Sequence, residues 1–439
     1  MFGMNNNYVA VIQAGGMGTR MLELTKDEIP KPMLPLNGKP MIQWQIENIR
    51  KYGIMEFVLI IGHLGERIEE YFGDGSRFGV RIQYIRETKP LGSAGALYYL
   101  KDMLKERSFL LIFGDVMYDI DWNRMIVFHE GKNGLATLLI HPNSHPHDSD
   151  LVIVDDEKCV IGIDSKNHVR NYWYDNCVNA GLYILSADIL QHLNAAVRTD
   201  LEQDLLKPFM SQRQVFGYQT PEYVKDAGTV SRFHVACKEQ KQGIWQQKNL
   251  SNKQKCVFLD RDGTINKFCG LLNDEEQFEL EEGVAEAIRL LNASKYLVIV
   301  VTNQPVVARG MCEINDIQRI HKKMQVLLGQ QGAYVDDIVF CPHHPDKGFV
   351  EENPIYKIPC NCRKPAIGMI EQMAKKYNVD LTDAYMIGDS TVDIQTGKNA
   401  KIKTILLSTG QGGMDRKYEI QPDYRAKDLL EAVKIILNA

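Results

Sequence analysis

Twice along this chain, short apolar runs bounded by glycine alternate with segments whose apolar residues recur at helical spacing, and few architectures accommodate that rhythm. The first series holds residues 8–12, 57–61 and 109–113, with a helical stretch over 40–52. The second holds 256–259, 297–301, 338–340, 384–387 and 403–407. Runs that are apolar throughout belong inside parallel sheets, with helices covering both faces. The expectation is an α/β chain of two doubly wound domains. Between the series, KEQKQGIWQQKNLSNKQK is rich in Lys, Gln and Asn and poor in core residues. Residues 1–237 are therefore expected as one domain, 238–254 as a linker and 255–439 as a second domain. A length of 439 residues suffices for two cores.

A formal charge of −5 supplies no basic surface for a phosphate backbone, so nucleic acid is not an expected partner. The opening MFGMNNNYVAVIQAGG has no basic region ahead of an apolar stretch, unlike a secretion signal. No apolar run approaches the roughly 20 residues that cross a bilayer. Nine cysteines are an odd number in a large acidic chain, which favours reduced thiols or metal ligands over a disulfide framework. A soluble, cytoplasmic protein without a membrane partner is expected, with homo-oligomerisation left open.

The first strand runs into Gln13-Ala14-Gly15-Gly16-Met17-Gly18-Thr19-Arg20. At the carboxyl end of a strand, glycines let backbone N–H groups approach a phosphate unobstructed. Arg20 adds a cationic fork, and Lys31 adds a second cation on the proline-stiffened Pro30-Lys31-Pro32. Asp115 follows the 109–113 run and Asp226 lies in Lys225-Asp226-Ala227-Gly228. Two carboxylates in one cleft can share a magnesium ion, whereas each alone also reads as a turn or helix cap.

Together with Glu87-Thr88-Lys89-Pro90-Leu91-Gly92-Ser93-Ala94-Gly95-Ala96, these segments resemble the sugar-1-phosphate nucleotidyltransferase family over residues 8–237. The resemblance implies a Rossmann-like domain with Gly15, Gly16, Gly18 and Thr19 around a triphosphate, and Glu87, Gly92 and Ser93 near base and ribose. It assigns Arg20 and Lys31 to transfer, Asp115 and Asp226 to magnesium, and Asn179 and Gly181 to the sugar. Asp200 to Asp204 would order the pocket floor, and Lys166 would meet the sugar 1-phosphate, with an exposed turn lysine as the alternative. Two departures stand out: the stretch from Arg20 to Lys31 is one residue longer and lacks the common proline, and Gln13 replaces an apolar residue.

Val257-Phe258-Leu259-Asp260-Arg261-Asp262-Gly263-Thr264 is more specific. An apolar strand delivers Asp260 as nucleophile, and Asp262, two residues on, can protonate a leaving oxygen and then activate water. Followed by Thr302-Asn303-Gln304, Lys364, Gly388-Asp389-Ser390 and Asp393, this run resembles the haloacid dehalogenase superfamily over 255–439. The resemblance implies magnesium on Asp260, the Asp262 carbonyl and Asp389. Thr302 and Lys364 would bind the transferring phosphoryl group, and Asn303, Gln304 and Arg363 would face substrate.

Cys341, His343, Cys360 and Cys362 form a soft-ligand inventory on one long loop that suits a closed structural zinc site, with His344 as competing ligand. Such a clip would fix Arg363 and Lys364. The Asp-Arg-Asp-Gly-Thr run, this loop and Cys362-Arg363-Lys364-Pro365 resemble the branch acting on heptose bisphosphates, with histidinol-phosphate phosphatases next. Residues 268–271 and Pro305-Val306 depart from that branch.

A phosphatase of this branch leaves a sugar 1-phosphate, which the other half would consume. Tyr71-Phe72-Gly73-Asp74-Gly75 and Glu87 resemble guanylyl-transferring members, implying GTP and a GDP-heptose product; Glu87 could accept from guanine's N1–H and amino group. The alternatives are another nucleotide sugar with an unrelated phosphate ester, or one half serving as a silent regulatory module.

Overall fold

The computed structural model describes residues 7–438 apart from 17, 105, 347 and 349, so Met17 of the glycine loop lies outside the described residues. The chain divides into two compact units. The first comprises residues 1–141, 150–165 and 178–249. Its main sheet has nine strands, ordered Val160–Asp164, Leu151–Val154, Val178–Leu185, Phe109–Phe113, Val9–Ala14, Glu56–Ile61, Arg81–Arg86, with Ala136–His141 and Val215–Gln219 branching off Val178–Leu185. Val9–Ala14 is parallel to both neighbours, which explains its apolar character. Gln13 stands in this strand because its amide donates to the Ser93 carbonyl at 2.5 Å, tying the two glycine-rich segments together.

In the second unit, six strands run parallel in the order Asp337–Cys341, Tyr296–Asn303, Gln254–Leu259, Val379–Gly388, Lys403–Leu407, Tyr424–Ala426. Side chains of the central strand alternate between two cores. Val257 and Leu259 join the one covered by Val284–Asn292, Ile314–Gln330 and Leu429–Asn438, while Cys256 and Phe258 join the one under Gly368–Tyr377. The glycine turn after Val9–Ala14 and the turns that bear Asp260 and Asp389 follow the carboxyl ends of parallel strands.

Two features depart from the expected organisation. Residues 238–254 begin with a helix end, the last turn of Val230–Lys241, but the expected linker then carries a second short helix, Ile244–Lys248. Trp245, 2% exposed, stacks on Tyr223 with centroids 5.0 Å apart and meets Trp44 edge-on at 5.7 Å, anchoring this segment to the first unit. Residues 142–149 and 166–177 pack with the second unit, where the Asn176 amide donates to Gln325 at 3.0 Å and Lys323 lies over Trp173 at 5.5 Å. Among the described residues, no helix is long and apolar enough to cross a membrane.

Candidate active sites

In the second unit, Asp260 follows the central strand, Asp389 follows the next strand, and Thr302 and Asn303 end the strand on the other side. The topology therefore delivers them to one place. Oxygens of Asp260, Asp389 and Asp393 lie within 4.8 Å of one another. Lys364 bridges two of these carboxylates, with Nζ 2.8 Å from Asp260 and 2.5 Å from Asp393. Burial alone would pull the Lys364 ammonium down, but Asp260 and Asp393 more than compensate and hold it charged. Burial, then the Asp393 and Asp260 charges, raise Asp389 to about 8; burial and Asp393 also raise Asp260. Such a cluster suits a hard divalent cation, which would relieve the crowding of negative charge.

Gly263 is required here. Its φ is +79°, and a β-carbon would stand 2.2 Å from an Asp389 oxygen. The turn after Asp262 can thus close over the acidic cluster only without a side chain.

Asp262 has a different environment. Its carboxylate accepts from Arg261 Nε and Nη2, from Asn266 at 3.1 Å and from Gln304 at 2.9 Å. Of the three residues expected to face substrate, Gln304 and Asn303 hydrogen-bond neighbouring protein groups, and Arg363 makes one such bond. Gln304 is 2% exposed and bonds Asp262, Arg261 and Thr302. The Asn303 side chain pairs with both the N–H and the carbonyl of Lys364, at 2.9 and 3.0 Å. Arg363 donates to the His343 carbonyl at 3.1 Å. Gln304 thus contacts the Asp262 carboxylate, and Asn303 the Lys364 backbone. Sequence reading missed this because a polar residue after a strand looks the same whether it faces a ligand or a neighbour.

Cys341, His343, Cys360 and Cys362 converge, with ligand atoms all within 4.8 Å. Sulfur separations are 3.2, 3.3 and 3.5 Å, and His343 Nδ1 lies 3.3 Å from Cys362. A tetrahedron with the usual Zn–S bond has S···S edges of about 3.8 Å, so the four residues fit zinc with a small outward adjustment. His344 is instead buried beside this loop, where its Nδ1 accepts from the Asp346 N–H at 3.2 Å. The cluster is joined by Arg363 to Lys364, which bridges Asp260 and Asp393, so zinc would act as a clip. We expect purified protein to carry stoichiometric zinc by metal analysis. Cys360→Ser should lose it, lower the melting temperature and cut phosphatase turnover roughly 10-fold, leaving nucleotidyl transfer unchanged. Zinc-free protein of full stability and activity would refute the assignment.

In the first unit, the second cluster forms around Gly228. A β-carbon there would lie 2.6 Å from Asp226 Oδ1, 3.1 Å from Lys31 Nζ and 3.2 Å from Arg20 Nη2. The glycine therefore leaves open a space into which two cations and a carboxylate point. Asp115 and Asp226 sit on adjoining backbone, since the Ala227 N–H donates to the Asp115 carbonyl at 2.9 Å and Asp226 pairs with Val116 in antiparallel register. Lys31 is bonded to Asp115, and Arg232, which sequence reading did not single out, is 2.7 Å from Asp226. Both carboxylates are thus matched by cations. On the far side of the loop, Glu87 accepts from the Leu91 N–H at 3.2 Å and packs so closely that a Gly15 β-carbon would sit 2.5 Å from its Oε2. Burial raises the Glu87 carboxyl, against the lowering effect of the Leu91 bond.

Ser93 links the second glycine-rich segment to the acidic one: its hydroxyl accepts from Leu201 N–H at 2.7 Å and donates to Asp200 at 3.3 Å. Asn179 bonds Tyr183 at 2.7 Å and Glu202 at 3.0 Å, while its Oδ1 accepts from Gly181 N–H at 3.1 Å. Glu202 is a further residue that the sequence did not single out by itself; burial raises its carboxyl. Gly16 and Thr19 are exposed, and Gly18 adopts φ +61° against Lys31. Lys166 is not brought to this cluster: it is exposed in the turn after Val160–Asp164 and begins the 166–177 segment that packs with the second unit.

The two sites, one an acidic cluster around Asp260 and one a cationic glycine cradle, belong to an enzyme with phosphatase and nucleotidyltransferase domains. Residues 9–243 match the Nucleotidyl transferase family and residues 361–432 the HAD-hydrolase-like family. A D-glycero-β-D-manno-heptose-1,7-bisphosphate 7-phosphatase from Rhodopseudomonas palustris is 42% identical over 150 residues, 34% of this chain and 81% of its own length. The chain belongs to the nucleotidyl transferase family and, through its phosphatase part, to the family of these 7-phosphatases. A UTP–glucose-1-phosphate uridylyltransferase from Synechocystis is 31% identical over 209 residues, 45% of this chain and 53% of its own length. The crystal structure of HddC from Yersinia pseudotuberculosis is 24% identical, covers 53% of this chain and 99% of that one, and has a TM-score of 0.47.

Proposed function

We propose that this chain makes a nucleotide-linked heptose in two steps: it removes the 7-phosphate of heptose 1,7-bisphosphate, then transfers a guanylyl group from GTP to the remaining 1-phosphate, releasing pyrophosphate. The observation that carries this reading is the presence, in one chain, of a phosphatase site whose product class is the substrate class of the other site. Asp260 attacks phosphorus while Asp262 gives a proton to the departing 7-oxygen. Asp262 then takes a proton from the water that hydrolyses the aspartyl-phosphate. Lys364 balances charge at the nucleophile and on the phosphoryl oxygens. In the first unit the sugar 1-phosphate is already anionic and needs no base; Arg20 and Lys31 hold the triphosphate for in-line attack at the α-phosphorus. Magnesium, held by Asp260, the Asp262 carbonyl and Asp389 in one site and by Asp115 and Asp226 in the other, would offset phosphate charge. Free thiols throughout and a nucleotide substrate favour the cytoplasm.

The test supplies the α- and β-heptose 1,7-bisphosphates separately, follows phosphate release, then adds each NTP and identifies the product. Phosphate release followed by a GDP-sugar is expected; no release from either anomer, or a product with another base, overturns the corresponding half. Glu87 carries the base assignment, because a carboxylate can accept from both guanine donors. In Glu87→Gln, one oxygen must still serve Leu91, so an amide donor faces the base. kcat/KM for GTP should fall about 10- to 100-fold with a much smaller change for UTP. Equal losses for both nucleotides would remove Glu87 from base recognition.

A further inference from the structure

Arg261 is fully buried, with 0% exposure, beside an active-site carboxylate whose side chain is 20% exposed. A guanidinium has five N–H donors and no acceptor, so each direction it takes must be met by a lone pair. On one side its Nε and Nη2 fork onto Asp262 at 2.9 to 3.1 Å, and Nη2 also meets Gln304 Oε1 at 2.9 Å. On the other side, Nη1 meets His321 Nε2 at 3.2 Å. Among the described residues this imidazole is the recorded partner of Nη1. Because Arg261 can only donate, His321 Nε2 must carry the lone pair, and the ring is neutral with its proton on Nδ1. Burial, with Arg261 adding to it, holds His321 well below its ordinary range, in agreement with that tautomer. The ring is itself fixed, lying on the helix Ile314–Gln330 and meeting Phe340 edge-on at 5.3 Å.

We propose that His321 is a positioning residue for the phosphatase reaction: it anchors Arg261 from behind, and the Arg261 fork then aims the Asp262 carboxyl at the leaving oxygen. This rests on Asp262 being the acid and base. Proton transfer requires Asp262 to lie within hydrogen-bond reach of the ester oxygen, and a fork held at one end alone can swing out of line. His321 touches no reacting atom. Its removal should slow the step that needs a proton without weakening substrate binding.

The experiment compares wild type, His321→Leu, His321→Gln and Asp262→Asn on heptose 1,7-bisphosphate and on aryl phosphates of graded leaving-group pKa. His321→Leu should lose about 10- to 100-fold in kcat on the sugar ester, with KM within about two-fold. Its deficit in kcat/KM should shrink as the aryl leaving group becomes better, because a good leaving group needs no proton. A fold defect would lower all substrates alike. His321→Gln, whose Oε1 can replace the Nε2 lone pair, should recover most of the activity. A His321→Leu enzyme with wild-type turnover, or with the same deficit on every ester, overturns the anchor. Full activity in Asp262→Asn would instead overturn the acid–base role on which it stands.

Discussion

Asp260→Asn should reduce phosphate release by at least about 10⁴-fold while nucleotidyl transfer by the same preparation stays at the wild-type level. An amide cannot form the aspartyl-phosphate, and no other group in the cluster can take its place, because Asp389 follows a different strand and Asp393 stands in the helix Thr391–Asn399. The same substitution should raise the melting temperature of metal-free protein. Asp260 is buried against Asp393 and Asp262, and its ionised form is disfavoured by burial and by the Asp393 charge. Removing it relieves repulsion, while Lys364 keeps its contact with Asp393. Lys364→Met should act in the opposite direction, leaving Asp260 and Asp393 without their shared cation and costing roughly 3–5 kcal/mol. Calorimetry on the two variants checks the pair of signs. Hydrolysis retained by Asp260→Asn would remove the nucleophile, and a melting temperature lowered as far as that of Lys364→Met would show that the cluster is not repulsive.

These contrasting effects indicate what the sequence could reveal. The strand rhythm located the two sheets, and Asp260, Asp389 and Thr302 were legible through the family resemblance of their motifs, which the structure brings to one edge because they lie at the ends of adjacent strands. The zinc inventory was legible for a separate reason: thiols and imidazole on one long loop have few other uses in a chain with free cysteines. Orientation was not legible. Asn303 and Gln304 follow Thr302 in an order that fits substrate contact, yet their partners are the Lys364 backbone and the Asp262 carboxylate, both supplied by distant turns. Arg261 and His321 are 60 residues apart, and neither carries a local mark of their pairing. The short helix over 244–248 was hidden for a compositional reason. Gln246 and Gln247 face solvent, while Ile244 and Trp245 supply its buried apolar contacts.

Magnesium binding to the phosphatase site should release protons, and its apparent affinity should tighten about 100-fold between pH 6 and pH 8. Asp389 is raised to about 8 in the metal-free protein by burial and by the Asp393 and Asp260 charges. At neutral pH it therefore holds a proton that a cation must displace. In the unfolded chain the same carboxyl titrates near 3.9. Because the folded value is the higher one, the folded state binds more protons between the two values. Stability of metal-free protein thus falls as pH rises from about 4, and levels off above about 8. The stabilisation by a fixed magnesium concentration should grow over that interval, since the cation binds only the folded, ionised cluster. Titration calorimetry in buffers of different ionisation enthalpy measures the protons released, and melting curves with and without magnesium at pH 6 and pH 8 measure the linkage. Asp389→Asn should abolish both the proton release from this carboxyl and most of the magnesium stabilisation. An apparent affinity that is flat from pH 6 to pH 8 would mean that Asp389 is already ionised before the metal arrives, and that the negative charge of the three clustered carboxylates is balanced in some other way.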